Sequence, residues 1–186
     1  MRAYQKQNAL EFPDYWNKPV PGMGLDSRLT ILGLAPGLHG ANKTGQPFTG
    51  DASGTLLFRV LDHLGIRDQV RITNAVKCAP PQNKPLISER KNCQKFLREE
   101  VAAITGSGEP GVILCLGKIA HDELLRCLEL KISDYPFAHE ASYQLKQGLW
   151  LVDSFHCSRY NIQTNRLTEP MFRSAVQYAA QLAQLI

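Results

Sequence analysis

The sequence predicts a three-layer α/β/α sandwich around a central, mainly parallel four-stranded sheet. Three observations predict it. Four short apolar runs recur, at residues 29–34, 70–76, 112–116 and 149–154. Segments with helical periodicity lie between them, and strands alternating with helices are the signature of parallel strands joined by crossovers. The chain has 186 residues, enough for one such domain over 1–186 and too few for two comfortable ones.

The elements follow in order. Residues 53–64 place Leu56, Leu57, Val60, Leu61 and Leu64 on one face of a helix. Ser88 is the expected N-cap of the next helix, with Lys91 three residues on and hence no capping box. That helix is expected to run to about 104, with Phe96, Leu97, Val101 and Ile104 on one stripe. Residues 117–130 and 168–186 read as two more helices, the second with Pro170 in its first turn, where a missing N–H costs nothing. Residues 134–152 look irregular, with a short hairpin around Gly148. There is no internal repeat, low-complexity tract or obvious linker.

Composition narrows the function classes. Hydrophobic content of 44% and charged content of 20% belong to an ordinary soluble globular chain. No apolar run approaches the roughly 18–20 residues that span a bilayer. The first residues, MRAYQKQNALEFPDYW, are too polar for a secretory signal, so the cytoplasm is expected. A net charge of +4 permits a nucleic-acid partner without requiring one. Five cysteines in a chain without an export signal argue against a disulfide framework and leave buried thiols or metal ligation.

In sheets of this kind ligands sit at the C-terminal ends of the strands. The first strand leads into TILGLAPGLHGANKTGQPFTGDASG, residues 30–54, a glycine-rich loop that suggests phosphate. It contains no Gly-x-x-x-x-Gly-Lys-Ser/Thr string, and it takes too many residues to reach a helix for a dinucleotide fingerprint. What it offers is exposed backbone N–H groups, one aromatic ring, Phe48, and one carboxylate, Asp51. Asp51 has two readings, cap of the helix that begins near Ala52 or functional carboxylate. After the second strand, TNAVKCAPPQNKP places Asn74 at the strand end, either satisfying loop backbone or contacting a ligand. After the fourth, DSFHCSRYNIQTNRLT sets His156 before a polar, basic and aromatic turn, a context that favours function over a structural histidine.

Taken together, these segments resemble the uracil-DNA glycosylase superfamily, and within it the family 5 (B-type) branch. GLAPGLHGANKTGQPFTGDASG is similar to that branch's first motif, including Leu34 where family 4 has Glu. ITNAVKCAPPQNKP, SFHCSRYNIQTNRLT, FPDYWNKPVPGMG and LGKIAHD resemble further segments in the same order. The likeness runs from about Phe12 to the C-terminus. It implies hydrolysis of the N-glycosidic bond of uracil in DNA, with the base flipped out of the duplex into a pocket. Phe48 would stack on the ring, and Asn74 would read N3–H and O4. His156 and the N–H groups of Ala35 and Gly37 would stabilise the departing base. Asp51 would hold water or stabilise the cationic sugar. Ser158, Arg159 and Tyr160 would contact DNA in the groove, and Arg166 and Lys43 its phosphates. Cys157 and Asn165 depart from the residues common at those positions. The implied partner is DNA carrying uracil or other deaminated bases, bound by a monomer. Three alternatives stand beside this reading. One is a protein of the same fold that binds DNA or a base without cleaving. Another is a glycosylase aimed mainly at other lesions, such as hypoxanthine, xanthine or hydroxymethyluracil. The third is a small-molecule hydrolase using Asp51 and His156, against which the lack of Gly-x-Ser-x-Gly counts.

The resemblance also implies a 4Fe–4S cluster on four cysteines. Cys78 and Cys93 match two of them, while the Cys-x-x-Cys expected upstream is absent from this chain. Cys115 falls in a strand and Cys127 on a helix, where buried readings are favoured, and Cys157 lies beside the site on the wrong part of the chain to complete a cluster. The expectation is a late start at Met1, the competing idea being genuine loss of the cluster. Either way the chain as it stands is expected to hold a partial cluster or none.

Overall fold

The computed structural model describes residues 2–24, 27–105, 111–145 and 148–186. Its helices are α1 (Arg2–Glu11), α2 (Ala41–Thr44), α3 (Ala52–His63), α4 (Ile87–Thr105), α5 (Lys118–Cys127), α6 (Arg159–Gln163) and α7 (Glu169–Leu182). Its strands are β1 (Leu29–Gly33), β2 (Arg71–Asn74), β3 (Gly111–Leu116), β4 (Ser142–Gln144) and β5 (Leu149–Ser154), in the order β2-β1-β3-β5-β4. The four apolar runs are the four parallel strands. A fifth strand joins them: β4 runs antiparallel to β5, pairing Tyr143 with Leu151. It is the other arm of the hairpin expected around Gly148, whose residues 146 and 147 lie outside the described ones. Its three residues, Ser-Tyr-Gln, are only partly buried, so its sequence carries no apolar run.

Every residue of β1 and β3 is buried, as helices on both faces require. The pleat sorts their side chains by layer. Val112, Leu114 and Leu116 join Leu57, Leu61, Phe172 and Val176 on the side of α3 and α7. Ile113 and Cys115 join Leu97, Val101, Leu124 and Leu125 on the side of α4 and α5. The winding reverses at β1: the chain passes outward to β2 and then back across β1 to β3. The crevice at the C-terminal ends of these strands is where such sheets bind ligands.

Three helix ends differ from the sequence expectation. Ser88 lies inside the first turn of α4, which begins one residue earlier, and the Glu89 carboxylate accepts the Leu86 N–H at 2.8 Å. Helix α5 stops at Cys127 because Glu129 turns left-handed (φ 57°) and the Leu130 N–H returns to the Leu125 carbonyl. Helix α7 stops at Leu182 in the same way, with Gln184 at φ 57° and the Leu185 N–H on the Ala180 carbonyl. On α4, Leu97, Val101 and Ile104 are buried, but Phe96 is 42% exposed with the Lys95 ammonium over its ring.

The segment before β1 covers the open edge of β2. Met23 exchanges two backbone hydrogen bonds of 2.9 Å with Ile72, and the Val20 N–H donates to the Lys77 carbonyl at 2.6 Å. An edge so covered cannot pair with another chain. Among the described residues no helix is long and apolar enough to cross a membrane.

Candidate active site

Gly33 ends β1 and makes room for the site. A Cβ there would lie 2.4 Å from Asn74 Oδ1 and 2.6 Å from Phe48 Cζ, so only glycine lets the amide and the ring approach the strand together. Phe48 is buried and held at φ 56°, an uncommon conformation for an aromatic residue. Its carbonyl presses on the first turn of α3, where a Cβ on Gly54 would overlap it at 1.5 Å.

The cap reading of Asp51 is the one its geometry meets directly, and its second oxygen is turned toward the cavity. The residue is the N-cap of α3, with Oδ1 accepting the Gly54 N–H at 2.9 Å. Its Oδ2 faces the glycine loop, 3.6 Å from where a methyl on Gly37 would stand. Ala35 and Gly37 line the same cavity, and among the described residues neither N–H is bonded to another backbone group.

Asn74, the last residue of β2, is 5% exposed and lines the cavity from the adjacent strand. His156 enters from the loop after β5, its ring inclined 26° to that of Phe48 with centroids 6.2 Å apart. It packs over Gly117, which has φ 96° and leaves space for it. Burial holds the His156 imidazole below its ordinary value, and the Asp51 carboxylate acts in the opposite direction. Ser158 caps α6 by accepting the Asn161 N–H at 3.3 Å, and the Asn161 amide donates to the His156 carbonyl at 2.8 Å. The next residue after His156, Cys157, is buried, and burial pushes its thiol up to about 12.

These groups close a cavity of about 330 Å³, at the lower end of the ~300–1,000 Å³ typical of small-ligand pockets. Asp51, Asn74, Phe48, His156, Ala35 and Gly37 all line it, as does Ser158. Arg159 lies in an adjoining hollow that shares Asp51, and Tyr160 beside it is 70% exposed. Arg166 lies on the other side of His156, its guanidinium 4.7 Å from the centre of the Phe155 ring. Lys43 stands apart on α2, its ammonium over Tyr15. Asn83 is a cavity residue that the sequence reading missed; its signal is an Asn in a Pro-flanked run, a residue that tolerates the left-handed backbone it adopts (φ 57°).

Cys78 is half-buried and Cys93 buried, and they are near enough to interact: burial pushes the Cys78 thiol up, and Cys93 pushes it further. The other three thiols are buried on β3, α5 and beside the cavity. Among the described residues no group of three or more His, Cys, Asp or Glu side chains could hold a metal ion. A donor set of two thiols does not fit a cluster that takes four thiolates.

The fold and cavity define a class: a doubly wound α/β protein with a ring, an amide, an imidazole and a carboxylate converging on a small cavity at the strand ends. Comparison with known proteins gives the family. The family model described as "Uracil DNA glycosylase superfamily" matches residues 21–180. The chain is 40% identical over 194 residues to a type-5 uracil-DNA glycosylase of Thermus thermophilus, covering 97% of this chain and 87% of that protein. It is 36% identical over 181 residues to a type-5 enzyme of Pyrobaculum aerophilum, covering 89% and 77%. A type-4 uracil-DNA glycosylase of Thermotoga maritima is 42% identical over 104 residues, covering 54% and 51%. The chain belongs to the uracil-DNA glycosylase superfamily, as its motifs suggested.

Proposed function

We propose that this protein is a uracil-DNA glycosylase that hydrolyses the N-glycosidic bond of uracil in DNA and leaves an abasic site. One observation carries the reading: Gly33 seats the Phe48 ring and the Asn74 amide against one strand end, and the Asp51 carboxylate lines the same cavity. A flipped base stacks on Phe48. Asn74 accepts from N3–H of uracil and donates to O4; cytosine presents the reverse polarity, and each mismatched buried group costs about 1–3 kcal/mol. As the bond from C1′ to N1 breaks, its electron pair moves to N1 and O2 of the base. Neutral His156 and the N–H groups of Ala35 and Gly37 stabilise that charge. Water held by Asp51 forms the new bond to C1′ and gives up its proton to the carboxylate.

Arg159 and Tyr160 enter the groove beside Ser158, and Arg166 and Lys43 meet phosphates. The reading includes a monomer acting on DNA in the cytoplasm. It also includes a chain that completes no 4Fe–4S cluster with Cys78 and Cys93 alone. Iron analysis giving about four atoms per chain, as such a centre requires, would remove that part of it.

A labelled oligonucleotide with one uracil, treated with alkali after incubation, tests the activity. Release by the wild type and loss of release in Asp51→Asn are expected. A wild type that binds the oligonucleotide and never yields alkali-labile sites would overturn the reading in favour of a binding protein.

A further inference from the structure

The peptide unit that follows Asn74 is fixed at both ends. Its N–H, from Ala75, donates to the Gly33 carbonyl of β1 at 2.9 Å. Its carbonyl, from Asn74, therefore points the other way, to the edge of the sheet on which Ile72 meets Met23. Among the described residues no strand residue meets that carbonyl. Lys77 turns back three residues and donates to it from Nζ at 2.8 Å. The same ammonium donates to Thr73 Oγ1 at 2.9 Å and to Glu100 Oε2 at 2.7 Å, so all three of its N–H groups are engaged. The Thr73 hydroxyl in turn donates to Glu100 at 3.1 Å.

The cage is largely sheltered from water: the Glu100 side chain is 16% exposed, and the Arg71 guanidinium lies 3.8 Å from its Oε1. Lys77 is 6% exposed, and Gly22 of the edge-covering segment lies on the cage, where a Cβ would stand 3.2 Å from Thr73 Oγ1 and 3.3 Å from Glu100 Oε1. A buried ion pair stabilises a fold little, or less than apolar residues of the same shape would. Its use is better sought in what it holds still.

We propose that Lys77, held in place by Glu100, is a positioning residue for Asn74. By anchoring the carbonyl of the 74–75 peptide unit while Gly33 anchors its N–H, it sets the direction in which the Asn74 amide meets the base. The inference rests on the base-reading role proposed for Asn74. It extends that role to a charged pair lying outside the cavity, on the far side of β2.

The test is a double-mutant cycle on the uracil oligonucleotide, with kcat, KM and melting temperature recorded for each variant. Lys77→Met is expected to lower kcat about ten- to a hundredfold with KM nearly unchanged, the scale of a small misplacement at a reacting centre. Lys77→Arg, which donates to the same acceptors, recovers most of the loss. In an Asn74→Ala background Lys77→Met changes kcat by less than about twofold, because the group it positions is gone. A purely structural anchor would lower kcat equally in both backgrounds, and that result, or a folded Lys77→Met with wild-type kcat, overturns the proposal. Should Lys77→Met not fold, the shape-preserving Glu100→Gln must show the same dependence on Asn74. A wild type that releases no uracil defeats the function and this inference together, whereas wild-type release with an unaffected Lys77→Met defeats this inference alone.

Discussion

Oδ2 of Asp51 faces the α-carbon of Gly40 so closely that a methyl group there would lie 2.6 Å from it, while Oδ1 of the same carboxylate accepts the Gly54 N–H. One oxygen serves the helix and the other is turned to the glycine loop, which separates the two roles experimentally. Asp51→Asn keeps an oxygen for the cap, so its melting temperature should stay near wild type while uracil release falls about a hundredfold or more. Asp51→Ala should lose the same activity and also about 1 kcal/mol of stability. Calorimetry beside single-turnover kinetics decides. Equal stability in both variants would mean that the cap contributes nothing.

Gly33→Ala places a methyl group into both Asn74 and Phe48. Overpacking of this kind costs about 1–3 kcal/mol, and the two side chains displaced are those proposed to grip the base. Uracil release should therefore fall far more than urea stability does. A variant with near-normal kcat would show that the ring and amide move aside without consequence.

The pH profile follows from His156. Burial keeps its imidazole below the ordinary value of 6.5, so the neutral form proposed as donor persists below that pH. The kcat/KM of the wild type should stay level from pH 8 down through 6.5 and decline only below it. The sign for stability agrees: the unfolded chain takes up the proton first, so stability contributed by His156 is complete above 6.5 and diminishes as pH falls beneath it. An acid limb centred at or above 6.5 would contradict this environment.

His121 and Asp153 form a fully buried pair away from the cavity, with Nδ1 2.9 Å from Oδ1. Its Nε2 lies 2.9 Å from the Tyr135 carbonyl, an acceptor only, so the proton on that nitrogen is fixed and Nδ1 and Asp153 share one more. Burial pushes the Asp153 carboxyl up, and His121 opposes it. His121→Leu leaves that carboxyl alone in the core and should cost about 3–5 kcal/mol in urea unfolding. A loss below about 1 kcal/mol would mean that Asp153 finds another partner.

What the sequence revealed and what it concealed have physical causes. Strands β1 and β3 were legible because burial on both faces makes them continuous apolar runs, whereas β2, Arg-Ile-Thr-Asn, showed mainly through the apolar residues that flank it. Strand β4 and helices α1, α2 and α6 are short or polar and have no such signature. The ends of α5 and α7 were overrun because Glu129 and Gln184 take the left-handed turn that glycine usually announces. Asp51, Asn74 and His156 stood out because each lies at or beyond the C-terminal end of a strand. The close approaches at Gly33 and Gly40 did not, since they join segments distant in the chain, and Asn83 was hidden among prolines for the same reason.

Gly33 is a residue of the core sheet, and the wall it gives the cavity is the end of a central strand. Such a wall cannot yield without disturbing the sheet itself. If the cavity takes a flipped base as proposed, the work of extraction from a duplex falls on the double helix, which gives up a mismatched or already unpaired nucleotide at the least expense. Sorting of damage from intact DNA then begins with the mechanics of the duplex: a uracil opposite guanine leaves its stack more readily than one opposite adenine, before any group in the protein has touched it.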